Sequence, residues 1–330
     1  MKFIRTLLFP VVPIYYLVTW LRNWLYDNGI KSSKAYDIPI ICVGNLSTGG
    51  TGKTPMIEYL IRLLFHDKSI ATLSRGYKRI TEGFILADES ATADTIGDEP
   101  FQFFRKFQDV KVAVDSNRQN GIEQLLSLKD KTEVILLDDA YQHRKVRAGF
   151  NILLTAYHHL YSNDIVLPTG NLREPRSGAK RANIIVVTKC PDGITHREKE
   201  AIKEQLKIRS QQQLFFSHID YAANVISVKN QLPIHALPKF TLVTGIANSS
   251  PLTEFLNDKG LVFDHMEYPD HYSYKPSDIE VLSQKGLIVT TEKDYVRLSN
   301  NESLDLYYLP IEIKIDREEE FNKTLTSFMV

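Results

Sequence analysis

Ser47-Thr48-Gly49-Gly50-Thr51-Gly52-Lys53-Thr54 follows the pattern Gly-x-x-x-x-Gly-Lys-Ser/Thr, with Ser47 in place of the first glycine. Each residue type there has a physical task. Glycines let consecutive backbone N–H groups turn inward on a phosphate, Lys53 reaches the outer phosphate oxygens, and the Thr54 hydroxyl is suited to Mg²⁺. A β-branched apolar run, Ile38 to Val43, precedes the loop, and an amphipathic stretch, Met56 to Phe65, follows it. Strand, loop and helix in that order are the context the motif requires, which a chance Gly-Lys-Thr turn would lack. The chemistry is nucleotide-phosphate binding, with phosphoryl transfer or hydrolysis as its outcome.

A second signal is the apolar run Val134 to Leu137 ending in Asp138-Asp139. An acid at the end of such a strand holds Mg²⁺ directly or through water; the plainer alternative is a solvated pair at a strand end. Asp98 and Glu99 lie in Gly97-Asp98-Glu99-Pro100, before the aromatic helix expected from Phe101 to Phe107. By themselves they read as a helix N-cap and a favourable first-turn acid. His271, in Pro269-Asp270-His271-Tyr272, reads by itself as a solvated loop histidine. Arg118 and Arg173 carry guanidinium forks that match phosphate oxygens, with surface ion pairing as the alternative. Gln142 and His143 follow the paired acids closely enough to sense nucleotide or metal. Thr188-Lys189-Cys190-Pro191-Asp192 has the wrong first residue and spacing for an Asn-Lys-x-Asp guanine-recognition loop.

Further apolar runs predict strands at Ser69 to Leu73, Val110 to Val114, Glu133 to Leu137, Ile152 to Thr155 and Ile184 to Thr188. With helix-compatible segments between several of them, the pattern predicts an α/β fold: a P-loop NTPase-type, mostly parallel sheet with helices on both faces. Glu198 to Gln213 reads as a helix. Later candidate strands at Leu214 to Ser217, Val225 to Val228, Phe240 to Thr244, Leu287 to Thr291 and Tyr307 to Ile315 suggest a smaller α/β unit. The expected divisions are residues 1–36, an amino-terminal helical segment, residues 37–217, the P-loop core, and residues 218–330, a smaller carboxy-terminal domain.

The chain has 330 residues, and Lys plus Arg equals Asp plus Glu at 40 each. No global field therefore draws it to nucleic acid. Cys42 and Cys190 sit in or beside apolar runs, which argues against a disulfide or zinc framework. The amino terminus is unusual. Thr6 to Leu21 holds no charged residue, Lys2 and Arg5 precede it and Arg22 follows. A bilayer-spanning helix needs roughly 20 apolar residues, and Pro10 and Pro13 interrupt this one, so an interfacial helix fits better. Both tryptophans of the chain, Trp20 and Trp24, lie there one helical turn apart, with Lys31 and Lys34 placed for anionic headgroups. A secretory signal peptide and an ordinary core helix are the rival readings; no small-x-small cleavage site supports the first.

Gly44 to Pro55, Ser74-Arg75-Gly76-Tyr77, Gly97-Asp98-Glu99-Pro100, Asp115-Ser116-Asn117-Arg118 and Asp138-Asp139-Ala140-Tyr141-Gln142-His143 together resemble the tetraacyldisaccharide 4'-kinase family. Leu167 to Pro175, Asp270-His271-Tyr272 and Thr290-Thr291-Glu292-Lys293-Asp294 extend the resemblance over nearly the whole chain. Ser47 is ordinary for that family, and Ala140 stands where glycine is more usual. The resemblance implies transfer of phosphate from ATP, with Mg²⁺, to the 4' hydroxyl of the acylated glucosamine disaccharide 1-phosphate precursor of lipid A. It implies action at the cytoplasmic face of the inner membrane, against an anionic surface, with no required protein partner evident. By the same resemblance Asp98 is the base paired with His271, Lys53 and Asp139 act in catalysis, and Thr54, Glu99, Asp138 and Asp139 hold the metal. Tyr77, Arg118, Gln142 and Arg173 are then substrate or phosphate contacts. The alternative from another class is a membrane-associated switch ATPase of the partition type, although such proteins usually carry a lysine before the Gly-Gly pair, where this chain has Thr48.

Overall fold

The computed structural model describes residue 5 and residues 7 to 329. Lys2 and Thr6 of the expected amino-terminal pattern lie outside the described residues. Helix α1 (Val12–Asp27) precedes β1 (Ile40–Asn45), all six residues of which are buried. Residues apolar on both faces of a strand belong inside a parallel sheet covered by helices. The phosphate loop leads into α2 (Lys53–Leu64), then β2 (Ile70–Ser74), β3 (Ile85–Leu86), α3 (Ala93–Ile96) and α4 (Asp98–Lys106). There follow β4 (Lys111–Val114), α5 (Arg118–Leu126), β5 (Val134–Asp138), β6 (Phe150–Ala156), β7 (Ile184–Thr188), α6 (His196–Leu206) and β8 (Gln213–Tyr221).

The chain then builds a second sheet from β9 (Asn224–Ile226), β10 (Gln231–Pro233), β11 (Phe240–Thr244), β12 (Phe263–Glu267), β13 (Leu287–Thr291) and β14 (Asp305–Leu309). Helices α7 (Ser250–Asp258), α8 (Pro276–Ser283) and α9 (Glu292–Leu298) connect its strands. Last come β15 (Ile311–Ile315) and α10 (Glu318–Phe328). The larger sheet has the order β15-β8-β7-β6-β1-β5-β2-β4-β3 and the smaller β10-β9-β14-β13-β11-β12. From β8 to β4 every neighbour in the larger sheet is parallel, with β15 and β3 antiparallel on its edges. Alternate residues of β1 face opposite cores. Ile40 and Cys42 pack with Leu73, Leu137 and Ile185, while Ile41 and Val43 pack with Ile57, Leu60, Phe103 and Phe215.

Three expectations need correction. Tyr307 to Ile315 is not one strand, because Pro310 has no N–H for a ladder and divides it: β14 ends in the smaller sheet and β15 begins in the larger. The expected boundary between residues 217 and 218 falls inside β8, since Ser217 to Tyr221 pair with Ile315 to Ile311. Residues 311–328 therefore return to the larger sheet, where β15 covers the edge of β8 and Phe321 packs edge-on against Phe215 at 5.2 Å. The expected helix from Glu198 to Gln213 ends earlier, at Leu206, because Lys207 turns left-handed at φ 52° and β8 has begun by Gln213.

Helix α1 is not a core helix. The residues it buries are polar, Thr19 and Asn23, whereas Leu7, Phe9, Ile14, Leu17, Val18, Trp20, Leu21 and Trp24 are exposed. No helix among the described residues is long and apolar enough to cross a membrane. Lys34 is paired with Glu123 at 2.6 Å and stacks 5.1 Å from Tyr36, so of the two expected headgroup lysines it is already engaged.

Helix α9 of the smaller sheet runs against α4 of the larger one. Near the end of α4, Lys106 lies 2.7 Å from Glu58 of α2 and 2.6 Å from Glu292 of α9, and Gln102 donates to Glu58 at 2.7 Å. Burial, with the Glu58 charge beside it, pushes Glu292 up to about 7. One ammonium thus serves two buried carboxylates, and removing it leaves Glu292 without its cation and Glu58 with Arg62 alone, at 3.1 Å. Lys106→Met is expected to destabilise the fold by about 3 kcal/mol. An unchanged denaturation midpoint would show that this cluster contributes no net stability.

Candidate active site

The phosphate loop leaves β1 through Gly44, where a Cβ would lie 2.6 Å from the Cβ of Tyr141, so no larger residue fits without displacing the backbone. Gly49 and Gly52 take φ values of 110° and 84°, which only glycine adopts readily. Thr188 at the end of β7 donates from Oγ1 to the Thr51 carbonyl at 2.8 Å, and the Thr48 N–H donates to Asn171 O, also at 2.8 Å. Ser47 bridges to Leu172, so the segment 167–174 lies alongside the start of the loop. Lys53 and Thr54 open α2. Lys53 Nζ lies 3.5 Å from Asn45 Oδ1 and 3.7 Å from Asp139 Oδ1.

The two acids after β5 have opposite surroundings. Asp138 is buried, with Ser74 Oγ 3.3 Å from its Oδ2 and its Oδ1 without a partner. Burial first, then the charge of Asp139, pushes its carboxyl up to about 7. Asp139 sits in left-handed backbone at φ 48°, an uncommon conformation that aims its carboxylate at Lys53 and Arg173. Arg173 NH1 is 3.0 Å from both of its oxygens. Burial opposes ionisation there, but Lys53 and Arg173 outweigh it and hold the carboxyl below its usual range. The charge of Glu99, the second residue of α4, adds to the push on Asp138.

Asp98 is the first residue of α4, and its side chain does not cap the helix; Gly97 is the N-cap, with φ 94°. The carboxylate turns instead toward the smaller sheet. His271 Nδ1 lies 3.0 Å from Asp98 Oδ2, as the resemblance implies. Arg297 Nε donates to Asp98 Oδ1 at 3.1 Å, and its NH2 also reaches Oδ2. Burial raises the proton affinity of Asp98, yet the bonds and charges of His271 and Arg297 prevail and hold its carboxyl well below the usual range. His271 itself is in left-handed backbone at φ 58°, and the ring of Tyr77 stands edge-on to it at 6.0 Å.

Comparison with known proteins follows the same lines. The profile of the family described as Tetraacyldisaccharide-1-P 4'-kinase matches residues 4–330. The chain is 50% identical to the tetraacyldisaccharide 4'-kinase of Flavobacterium johnsoniae, over 100% of this chain and 98% of that protein. It is 44% identical to the one of Bacteroides thetaiotaomicron, over 98% of this chain and 92% of that protein. The chain belongs to the tetraacyldisaccharide 4'-kinase family. Its fold matches a crystal structure of LpxK from Aquifex aeolicus, an "apo" form in complex with ATP, with a TM-score of 0.81 at 29% identity, covering 99% of this chain and 100% of that one. The partition-type ATPase reading is not favoured by these matches.

Within this tetraacyldisaccharide 4'-kinase family member, other expected site residues take roles that burial defines. Arg118 is 3% exposed and donates to the carbonyls of Asp115 at 2.8 Å and Asp138 at 3.4 Å, a cation beneath the acids rather than one facing solvent. Gln142 ties Asn45 O at 2.9 Å to Glu174 Oε1 at 3.0 Å, and accepts from Arg173 at 3.4 Å. Burial, then the Arg118 and Lys145 charges, pushes His143 down to about 4, so it is neutral at pH 7. Among the described residues no group of three or more His, Cys, Asp or Glu stands ready as a metal cage. Mg²⁺ needs none, since it binds through one or two carboxylates, waters and substrate phosphates.

Sequence reasoning missed Arg297, and it gave no role to Lys293 or Glu174 although both stand in the motifs that carry the resemblance. The first two lie on a short charged helix that reads as a solvated face. Glu174 is fully buried and is held by Arg181 at 2.8 Å, by Gln142 and by Asn23 of α1. The clamp of Thr188 on the phosphate loop is testable. Thr188→Val should weaken nucleotide affinity about tenfold, the equivalent of roughly one net hydrogen bond, as read by calorimetric titration. An unchanged Kd would mean that the loop holds its shape without this bond.

Proposed function

We propose that this chain transfers the γ-phosphoryl group of ATP to the 4' hydroxyl of an acylated glucosamine disaccharide 1-phosphate, the precursor of lipid A. The observation that carries this reading is Asp98, held against His271 at 3.0 Å beside a phosphate loop whose Lys53 already faces Asp139. Phosphoryl transfer runs through a loose transition state, so the protein's work is positioning and charge stabilisation. In that state the hydroxyl gives up its proton late, and a carboxylate of low proton affinity suffices to orient it. Asp98 accepts that hydroxyl proton, and His271 aligns the carboxylate. Lys53 and the loop N–H groups meet the phosphate oxygens, and Arg173 stands by with a guanidinium that Asp139 holds at the site.

The acids fit a hard divalent cation: Asp138 Oδ1 is buried with no partner, and burial beside the Asp139 charge raises the proton affinity of Asp138, a cost that a cation would relieve. Asp138, Asp139, Thr54 and Glu99 would hold Mg²⁺, which when bound supplies neutralisation of the phosphate charge. We assign Tyr77, exposed beside His271, to the acceptor side of the site.

The exposed apolar side of α1 supports docking at a membrane surface, with Trp20 and Trp24 at the interface and the cytoplasmic leaflet of the inner membrane as its place. A lipid acceptor whose chains stay in the bilayer requires such an approach.

Three measurements test this reading. Label from γ-labelled ATP should reach a detergent-solubilised acylated glucosamine disaccharide 1-phosphate, and Asp98→Ala should lower turnover by about 10²- to 10⁴-fold with little change in ATP affinity. Absence of transfer across detergent and Mg²⁺ conditions would refute the activity; full turnover in the variant would remove Asp98 from the mechanism. Replacing Trp20 and Trp24 together by serine should reduce flotation of the protein with anionic liposomes, whereas undiminished flotation would deny α1 its proposed place.

A further inference from the structure

Arg297 of α9 lies across both oxygens of Asp98: Nε at 3.1 Å from Oδ1, with NH2 on Oδ2. Behind it, NH1 lies 3.5 Å from Asp294 Oδ1, and Asp294 is itself fixed, its Oδ2 accepting the Gly245 N–H at 2.8 Å and the Thr291 hydroxyl at 2.7 Å. The guanidinium is thus gripped from the rear and presents its fork in one orientation. His271 is oriented in a similar way. Lys293 Nζ lies 2.8 Å from His271 Nε2, and an ammonium only donates, so Nε2 accepts there; a neutral ring then carries its hydrogen on Nδ1, which faces Asp98 Oδ2 and also lies 3.0 Å from Arg297 NH2, itself a donor to that same Oδ2. That Nδ1–H donates to Asp98 Oδ2.

The consequence follows from counting lone pairs. An ionised carboxylate offers about four acceptor sites, two on each oxygen. Oδ2 receives Arg297 NH2 and His271 Nδ1, which fills it, while Oδ1 receives Arg297 Nε alone among the described contacts. We infer that Arg297 is a positioning residue for phosphoryl transfer, holding the Asp98 carboxylate so that Oδ1 keeps one lone pair for the incoming hydroxyl. This rests on the reading of Asp98 as proton acceptor. Neither Arg297 nor Lys293 touches the acceptor in this scheme; Arg297 acts through Asp98, and Lys293 acts through the tautomer of His271. Because both stand on α9, the open lone pair of Asp98 is aimed only when the smaller sheet is seated against α4.

The test is a double-mutant cycle in the full-length enzyme, assayed for label transfer to the detergent-solubilised acylated disaccharide 1-phosphate. Arg297→Ala should lower kcat about 100-fold, the cost of a misaimed reacting group, with KM for ATP and lipid nearly unchanged. Arg297→Lys should recover only part of this, because an ammonium cannot form the fork. Methylguanidinium added in solution should raise the activity of Arg297→Ala. In an Asp98→Asn background, Arg297→Ala should bring little further loss, since the two residues act as one unit. Losses that multiply in the double variant, or wild-type kcat in Arg297→Lys, would overturn the inference while leaving Asp98 as the base. Full activity of Asp98→Asn alone would overturn the underlying reading instead. If Arg297→Ala fails to fold, Arg297→Lys and its combination with Asp98→Asn carry the same comparison.

Discussion

Asp98 begins a helix of the larger sheet, yet His271, which touches it, Arg297, which grips it, and Lys293, which lies against the far nitrogen of the histidine, all belong to the smaller one. A carboxylate at a helix start is otherwise free to rotate, and as an N-cap it would bond its own helix; here those bonds are made across the junction. The junction is secured at two further levels. Val296 of α9 packs with Phe101 of α4, and Lys106 at the far end of α4 joins Glu292 to Glu58 on the helix that grows out of the phosphate loop. The aim of the Asp98 carboxylate and the helix that grows out of the phosphate loop are therefore linked through α4, an element nine residues long. The chain crosses between the sheets twice, after Tyr221 and at Pro310, where Pro310 O accepts the Ala222 N–H at 3.0 Å. Any shift of one sheet against the other changes the surroundings of Asp98 before it changes those of Lys53.

The phosphate loop, its flanking strand and helix, and most strands of both sheets are legible in the sequence because each is a local pattern. Ile184 to Thr188, Phe240 to Thr244 and Leu287 to Thr291 form strands over the ranges that their apolar runs predict. The division of the chain was not legible. Pro310 interrupts a run that otherwise reads as one strand, and the partner of β15 lies about ninety residues earlier, where no local signal points to it. The base pair Asp98 and His271 shows the same limit from the functional side: each residue type alone favours a cap or a solvated loop. Only the family motifs raised them, and the motifs named no role for Arg297. A charged residue on a short helix looks like surface until the fold places a buried Asp294 behind it.

One segment, 167–174, joins α1 to the phosphate loop. On one side it receives Arg5 and α1: Arg5 donates to Pro168 O and Asn171 Oδ1, each at 3.0 Å, and from α1 Tyr15 donates to Arg173 O at 2.9 Å and Asn23 reaches Glu174. On the other side Leu172 bridges to Ser47 at the phosphate loop, and Arg173 lies on Asp139. This explains the inverted character of α1. A helix that turns Thr19 and Asn23 inward and leaves Leu17, Trp20 and Trp24 outward gains little from its protein contacts by apolar burial, so its hydrogen bonds must specify its position. Its outer face calls for cover that the rest of the chain does not supply. Because Asn23 and Arg173 are linked through Glu174 and Gln142, the orientation of that outer face and the guanidinium on Asp139 are set together by a handful of hydrogen bonds.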